Sequence, residues 1–251
     1  MAKRYELTPV QWRRICGLLP GKPGDRGRCG EDNRLFVNAV LWVLRSGAHW
    51  HDLPERYGKY KTAHKRFTRW AKAGVWEKVL AHLIDDPDND YLMLDSTLVR
   101  AHQQAATGKG GNQNQALGRS RGGLTTKIHM AVDGKGRPLR MILTPGQRGD
   151  VTQAPALLEG LSARRVLADK AYDSNALRQI ISDMDAEAVI PCNPTRKRLI
   201  PYDFEVYKAR NLIERCFNKL KHFRRIATRY DRRAIHFLSF IHLAAAMIWM
   251  R

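Results

Sequence analysis

Hydrophobic and polar positions change rhythm part-way along this chain. From Arg34 to Gly47, RLFVNAVLWVLRSG puts apolar residues at helical spacing and stops at Ser46-Gly47, a pair suited to a helix end. YKTAHKRFTRWAKAG predicts a second short amphipathic helix ending at Gly74. It carries Phe67 and Trp70 on one side, with Lys61, His64, Lys65, Arg66, Arg69 and Lys72 over the remainder. In DDPDND, residues 85–90, proline and consecutive acids interrupt both helix and strand patterns. A domain boundary is expected there, with residues 1–88 forming a small helical domain and 89–251 a second one.

Beyond that break the rhythm is that of strands. YLMLDSTLV, residues 91–99, is a short apolar run with β-branched members, and residues 125–146 read as a hairpin around Asp133-Gly134-Lys135-Gly136. ARRVLADKAY and AEAVIPCN supply two more short strands, and helices are expected over 151–161, 174–184, 204–224 and 234–250. Strand, hairpin, helix, strand, helix, strand, helix, helix predicts an α/β mixed sheet flanked by helices, an order that resembles an RNase H-like fold. QQAATGKGGNQNQALGRSRGG, residues 103–123, is polar and glycine-rich and is expected as a mobile loop.

Charge narrows the function. The 251 residues carry a formal charge of +20, more than solubility requires, so the surface should attract a polyanion, nucleic acid before an anionic membrane. Short helices with a basic last member resemble a helix-turn-helix arrangement, which makes Lys65, Arg66 and Arg69 candidates for DNA contact. An ordinary solvated basic face over an aromatic core is the alternative. In the polar loop, Lys109, Arg119 and Arg121 either order against DNA or stay solvated. IHFLSFIHLAAAMIWM, residues 235–250, is shorter than the roughly 20 apolar residues of a membrane span and is interrupted by His236, Ser239 and His242, so a buried helix is expected. MAKRYELTPVQWRR lacks the apolar region of a signal peptide, and nothing in it directs the chain out of the cytoplasm. Cys16, Cys29, Cys192 and Cys216 are scattered, which fits reduced thiols, and His49 and His51 have no neighbours that would complete a metal site.

Three acids carry the candidate chemistry. Asp95 lies inside an apolar strand, where a charge is costly unless it is paired or binds a cation. Asp169 ends the similar run RVLADKAY. For each a bland reading stands: Asp95 turned outward, Asp169 paired with Lys170 or Arg165. Glu214 is the one acid in YKARNLIERCFNKLKHFRR, where helical spacing puts Tyr207, Arg210, Glu214 and Lys221 on one side. Arg210 and Glu214 are equally readable as a simple i,i+4 ion pair. Together the three acids favour Mg²⁺ or Mn²⁺, hard cations that take oxygen ligands. Two such ions about 3.5–4 Å apart suit in-line phosphoryl displacement. The surrounding bases would then hold a phosphodiester backbone. Asp133 is expected in the hairpin turn, and Asp150 and Asp173 as helix N-caps.

LDST, GRSRGGLTTKIHMAVD, TPGQRGD, VLADKAYDS and YKARNLIERCFNKLKHFRRIATRYD resemble the motif blocks of bacterial DDE transposases of the insertion sequence five family. The likeness extends over most of the chain and is most specific in the last block, where Tyr207, Arg210, Glu214 and Lys221 reproduce a Tyr-x2-Arg-x3-Glu-x6-Lys pattern. The resemblance implies Asp95, Asp169 and Glu214 as the catalytic, metal-binding acids. It also implies that Tyr207, Arg210 and Lys221 bind or orient DNA, and Lys127 and Arg121 join the DNA-contact candidates. The implied activity is metal-dependent cleavage at the element's ends, followed by attack of the freed 3′-hydroxyl on target DNA. The implied partners are the terminal inverted repeats, target DNA and a second or further copies of the chain, with no membrane and a cytoplasmic, nucleoid-associated location. A nuclease or resolvase without strand joining, and a DNA-binding regulator derived from such an enzyme, are the competing readings.

Overall fold

The computed structural model describes residues 5–22, 24–25, 30, 32–108 and 111–251; Cys29 and Lys109 lie outside the described residues. Among the described residues four helices precede the sheet: α1 Pro9–Ile15, α2 Asn33–Ser46, α3 Tyr60–Lys72 and α4 Val75–Leu83. Thr8 caps α1 in a reciprocal capping box with Gln11, and the Asp32 side chain accepts from the Leu35 amide at the head of α2. Gly47, at φ 73°, ends α2 in the left-handed conformation open to glycine. The apolar stripe of α3 buries Ala63, Phe67, Trp70 and Ala71, and the Trp70 ring stands edge-on to Phe36 of α2 at 4.9 Å.

The sheet has seven strands, β1 Tyr91–Ala101, β2 Gly118–Ser120, β3 Gly123–Val132, β4 Pro138–Pro145, β5 Arg165–Leu167, β6 Glu187–Val189 and β7 Thr228–Arg229. β1 pairs antiparallel with β3, and β3 with β4, while β5 runs parallel to β1 and β6 parallel to β5. This is an RNase H-like mixed sheet, with the hairpin on one side of β1 and the two parallel strands on the other. β2 extends it beside the start of β3, and β7 beside the end of β1. The remaining helices are α5 Ala154–Leu158, α6 Asn175–Asp183, α7 Phe204–Tyr207, α8 Asn211–Lys221, α9 Arg224–Ala227 and α10 Ala234–Trp249.

Alternation along β1 sorts the core into two layers. Leu92 and Leu94 point to a cluster with Leu157, Leu158, Leu177 and Ile181 of α5 and α6. Met93 and Val99 point the other way, toward Ile213, Phe217 and Leu220 of α8 and the long run of α10. α10 is buried almost all round, and its Trp249 indole donates to the Pro138 carbonyl at 2.7 Å. Among the described residues no helix is long and apolar enough to cross a membrane.

Residues 85–90 break the helix pattern, yet the helices before them share one buried cluster with α8, α9 and α10. Phe67 of α3 stacks on Phe240 of α10 with ring centroids 4.5 Å apart. The break itself is pinned to the hairpin turn, since the Asp88 amide donates to Asp133 and the Gly134 amide to the Asp88 carbonyl. The segment 103–123, expected as a mobile loop, is structured over much of its described length. It forms 3₁₀ turns at Gln103–Thr107 and Gln113–Gln115 and then β2, with Ala105, Ala116 and Leu117 buried. Its few apolar residues suffice because the Ala116 carbonyl is held from the core by Thr126 Oγ1 at 2.6 Å and by buried Arg229 at 3.3 Å.

If α2 to α4 and the sheet melt together, thermal unfolding followed by circular dichroism and by tryptophan fluorescence should coincide. Phe67→Ala should lower stability by about 3–5 kcal/mol for both probes alike. Two separate transitions, with only one of them moved by the substitution, would show that the aromatic contact does not join the halves.

Candidate active site

Strand register alone brings the first two acids level. Met93 of β1 pairs with Leu167 of parallel β5, and Asp95 and Asp169 each stand two residues further along. Met93 and Leu167 belong to the layer beneath α8, and so does the face on which Asp95 emerges. Asp169 sits just past the end of β5, where its side chain accepts from the Ala171 amide at 2.9 Å. It makes neither of the pairings with Lys170 or Arg165 that the sequence left open: Arg165 pairs with Glu187 at 2.7 Å.

The third acid arrives on α8. Ile213, Cys216, Phe217 and Leu220 seat this helix on the sheet, which leaves Glu214 in its first turn with the side chain 58% exposed. Arg210, at the end of the 3₁₀ turn that precedes α8, joins the two elements. Its Nη2 donates to Asp95 Oδ2 at 2.9 Å and its Nη1 to Glu214 Oε1 at 2.8 Å. One guanidinium thus spans a strand acid and a helix acid.

Burial pushes the Asp95 carboxyl up to about 6 despite the opposing pull of Arg210 and the Ser96 amide, and the charges of Asp169 and Glu214 push it the same way as burial. The three carboxylates therefore share one electrostatic neighbourhood. Among the described residues, however, no group of three acids, histidines or cysteines is drawn together tightly enough to hold a metal ion. The cation in contact with Asp95 and Glu214 is Arg210.

The other predicted residues fall into two groups. Tyr207 is half-buried, its ring edge-on to Tyr202 at 5.5 Å, and burial raises its phenol with Arg210, Asp169 and Asp95 close enough to act on it. Lys221 Nζ donates to Thr97 Oγ1 at 2.7 Å, on the face of β1 that bears Asp95. Tyr207 thus adjoins the acids, and Lys221 reaches the same strand face two positions beyond Asp95. Lys65, Arg69 and Arg121 are exposed at a distance in sequence from it, on α3 and in the turn between β2 and β3. Arg66 is instead packed over the Phe36 and Trp70 rings, at 4.5 and 4.9 Å, and bonds to Asn33. Lys127 is likewise engaged inside the protein, donating to Asp150 Oδ1 at 2.8 Å and to the Arg148 carbonyl at 2.7 Å.

Sequence reasoning missed a buried polar cluster on the opposite face of β1. Asp150, expected as an N-cap, caps nothing and accepts from Ser96 Oγ at 2.7 Å as well as from Lys127. Fully buried His129 donates to or accepts from Thr144 Oγ1 at 2.8 Å, and burial lowers its imidazole to about 4. Ser96 adjoins Asp95 in LDST, and Asp150 closes TPGQRGD, so the motif blocks held the signal. Asp173 is not an N-cap either. Ser174 caps α6, and the Asp173 carboxylate bonds to Arg178 and Arg196. Asp133 is in the hairpin turn as expected, accepting from the Lys135 and Arg137 amides.

The family described as "Transposase DDE domain" matches residues 86–249, and that described as "Putative transposase of IS4/5 family" matches residues 7–80. The chain belongs to the DDE transposase family. Over 130 residues it is 49% identical to "Putative transposase for insertion sequence element IS6501" from Brucella ovis, covering 51% of this chain and all of that one. It is 33% identical over 135 residues to "Putative transposase for insertion sequence element IS402" from Burkholderia cepacia, covering 49% of this chain and 62% of that one. Among solved structures, piggyBac transposase in a synaptic complex with hairpin DNA is similar at 15% identity and a TM-score of 0.43. That match covers 79% of this chain and 49% of that one, so the present chain spans about half the length of piggyBac transposase.

In metal-free transposase the Asp95 carboxyl should titrate near pH 6. Because Arg210 holds it down and Glu214 pushes it up, Arg210→Gln should move the midpoint higher and Glu214→Gln lower, read by carboxyl carbon NMR. A parent midpoint in the ordinary aspartate range, about 3.9, would contradict a buried Asp95 at this site.

Proposed function

We propose that this transposase cleaves DNA at the ends of its insertion element by metal-assisted hydrolysis and joins the freed 3′-hydroxyl to target DNA, with Asp95, Asp169 and Glu214 as the metal-binding acids. The observation that carries this reading is the Arg210 bridge. Side chains from β1 and from α8, 119 positions apart in sequence, already converge on one cation.

The donor set fits a hard divalent ion: all three side chains end in carboxylate oxygens, and two of them hold positive charge now. Asp95, Asp169 and Glu214 would be the ligands, and Mg²⁺ or Mn²⁺ would supply activation of water and stabilisation of the departing oxygen. The chain's own residues do the rest. Arg210, released from one carboxylate, offers its planar fork to a phosphate. Tyr207 and Lys221 flank Glu214 in the segment that carries it, where a hydroxyl and an ammonium would position the DNA backbone without reading its bases. Ser96 donates its amide to Asp95 Oδ1 at 2.7 Å and so fixes the carboxylate plane. Engagement of two element ends calls for two or more copies of the chain.

Asp95→Asn, Asp169→Asn and Glu214→Gln should each reduce cleavage of a duplex carrying the element's inverted repeat by several orders of magnitude. Binding of the same duplex should change little. Retention of cleavage in all three variants removes the assigned acids, and cleavage without joining in the parent protein favours the nuclease reading.

A further inference from the structure

We propose that residues 193–199 form a second DNA grip on the catalytic edge of the sheet, taking a phosphodiester backbone on Lys197 and Arg198. The proposal rests on the DNA-processing reading above and names a surface that reading does not use. Because β5 and β6 are parallel, their C-terminal ends share one edge. Asp169 follows β5 at that edge, and the chain leaves β6 from the same edge before it enters the segment of Tyr207, Arg210 and Glu214.

This excursion is held by specific bonds. At its neck the Ile200 amide donates to Cys192 Sγ at 3.1 Å, and the Cys192 thiol donates to the Ile200 carbonyl at 3.2 Å. From below, Asp173, which precedes α6 and whose side chain is fully buried, accepts from the Asn193 amide at 2.7 Å, from Arg178 Nε at 2.8 Å, and from Arg196 Nε and Nη2 at 2.8 Å each. Burial would raise this carboxyl, but the bonds from Arg196, Asn193 and Arg178 outweigh it and hold it at about 2. Arg196 also reaches Asn175 Oδ1 at 2.7 Å. A buried acid between two guanidiniums is a costly way to gain stability, but it fixes geometry well.

What that anchor presents is cationic. Arg178 and Arg196 are committed to Asp173, whereas Lys197 and Arg198 are exposed and have no acidic partner among the described residues. Beside them an open cavity of about 450 Å³ is lined by Ser174, Asn175, Asn193 and Thr195. Hydroxyl and amide side chains next to lysine and arginine are the groups that contact phosphate and sugar oxygens. In a chain of charge +20, on the edge that carries Asp169, the fitting polyanion is the DNA backbone.

The full chain should be titrated with a fluorescein-labelled duplex of random sequence across a series of salt concentrations, with binding read by anisotropy. Each phosphate contact contributes about 0.9 to the log–log salt slope, so Lys197→Ala/Arg198→Ala should make the slope shallower by about 1.8. Lys197→Gln/Arg198→Gln, which keeps side-chain length, should do the same. In the unsubstituted protein, bound duplex should shield Lys197 from an amine-reactive label detected by mass spectrometry. Parent binding with an unchanged slope in both double variants, or Lys197 labelled equally with and without duplex, overturns the grip. Failure of the parent to bind any duplex overturns the DNA reading itself.

Discussion

The site is organised around a single guanidinium. Asp95 is buried beside two other carboxylates, and such a group would take up a proton or drive the strand and helix apart unless a cation stood between them. Arg210 provides that cation, and its two nitrogens address two different elements. The geometry of α8 against β1 is thus set by the apolar contacts of Ile213, Phe217 and Leu220 and by one charged clasp at the head of the helix. A singly charged, planar group can hold two acids in reach of each other, but it cannot supply the charge density of a divalent ion. Under the proposed chemistry a divalent ion held by Asp95, Asp169 and Glu214 would supply that density, with Arg210 freed from one carboxylate.

β1 also separates two kinds of polar order. The acids and Arg210 lie toward α8, while Ser96, His129, Lys127 and Asp150 are interlocked on the other face. Ser96 and His129 are register partners, so the strand pair itself carries this second network. A strand held by hydrogen bonds immediately behind Asp95 gives that carboxylate little freedom to retreat, and this is how a rigid element fixes a side chain in place.

Much of this was legible in the chain, for identifiable reasons. α2, β1, the hairpin and α10 have strong apolar patterns, and Gly47 and the Asp133-Gly134 turn mark the end of α2 and the tip of the hairpin with local chemistry. The three acids stand out in the sequence because each breaks an apolar run or stands alone among bases. The Arg210 to Asp95 bond was not legible, since helical spacing relates Arg210 only to residues of its own segment, and the bond to β1 depends on how α8 lands. Asp150 and Asp173 were misread as caps because their neighbours suit helix starts. Their real partners, Ser96 and Arg196, stand 54 and 23 positions away in sequence. The same limit applies to the loop at 103–123, where low apolar content hid three buried anchors and a backbone held from Arg229.

The stacking of Phe67 on Phe240 has a bearing on how the chain is made. A nascent polypeptide emerges in order, so α2, α3 and α4 leave the ribosome long before their covering helix, α10, has been synthesised. Until then their aromatic faces are open to chaperones or to other unfinished chains, and productive closure waits for α10 to emerge. Slowing of translation between α4 and α10 would prolong the interval in which these faces are uncovered and the chain is prone to aggregate.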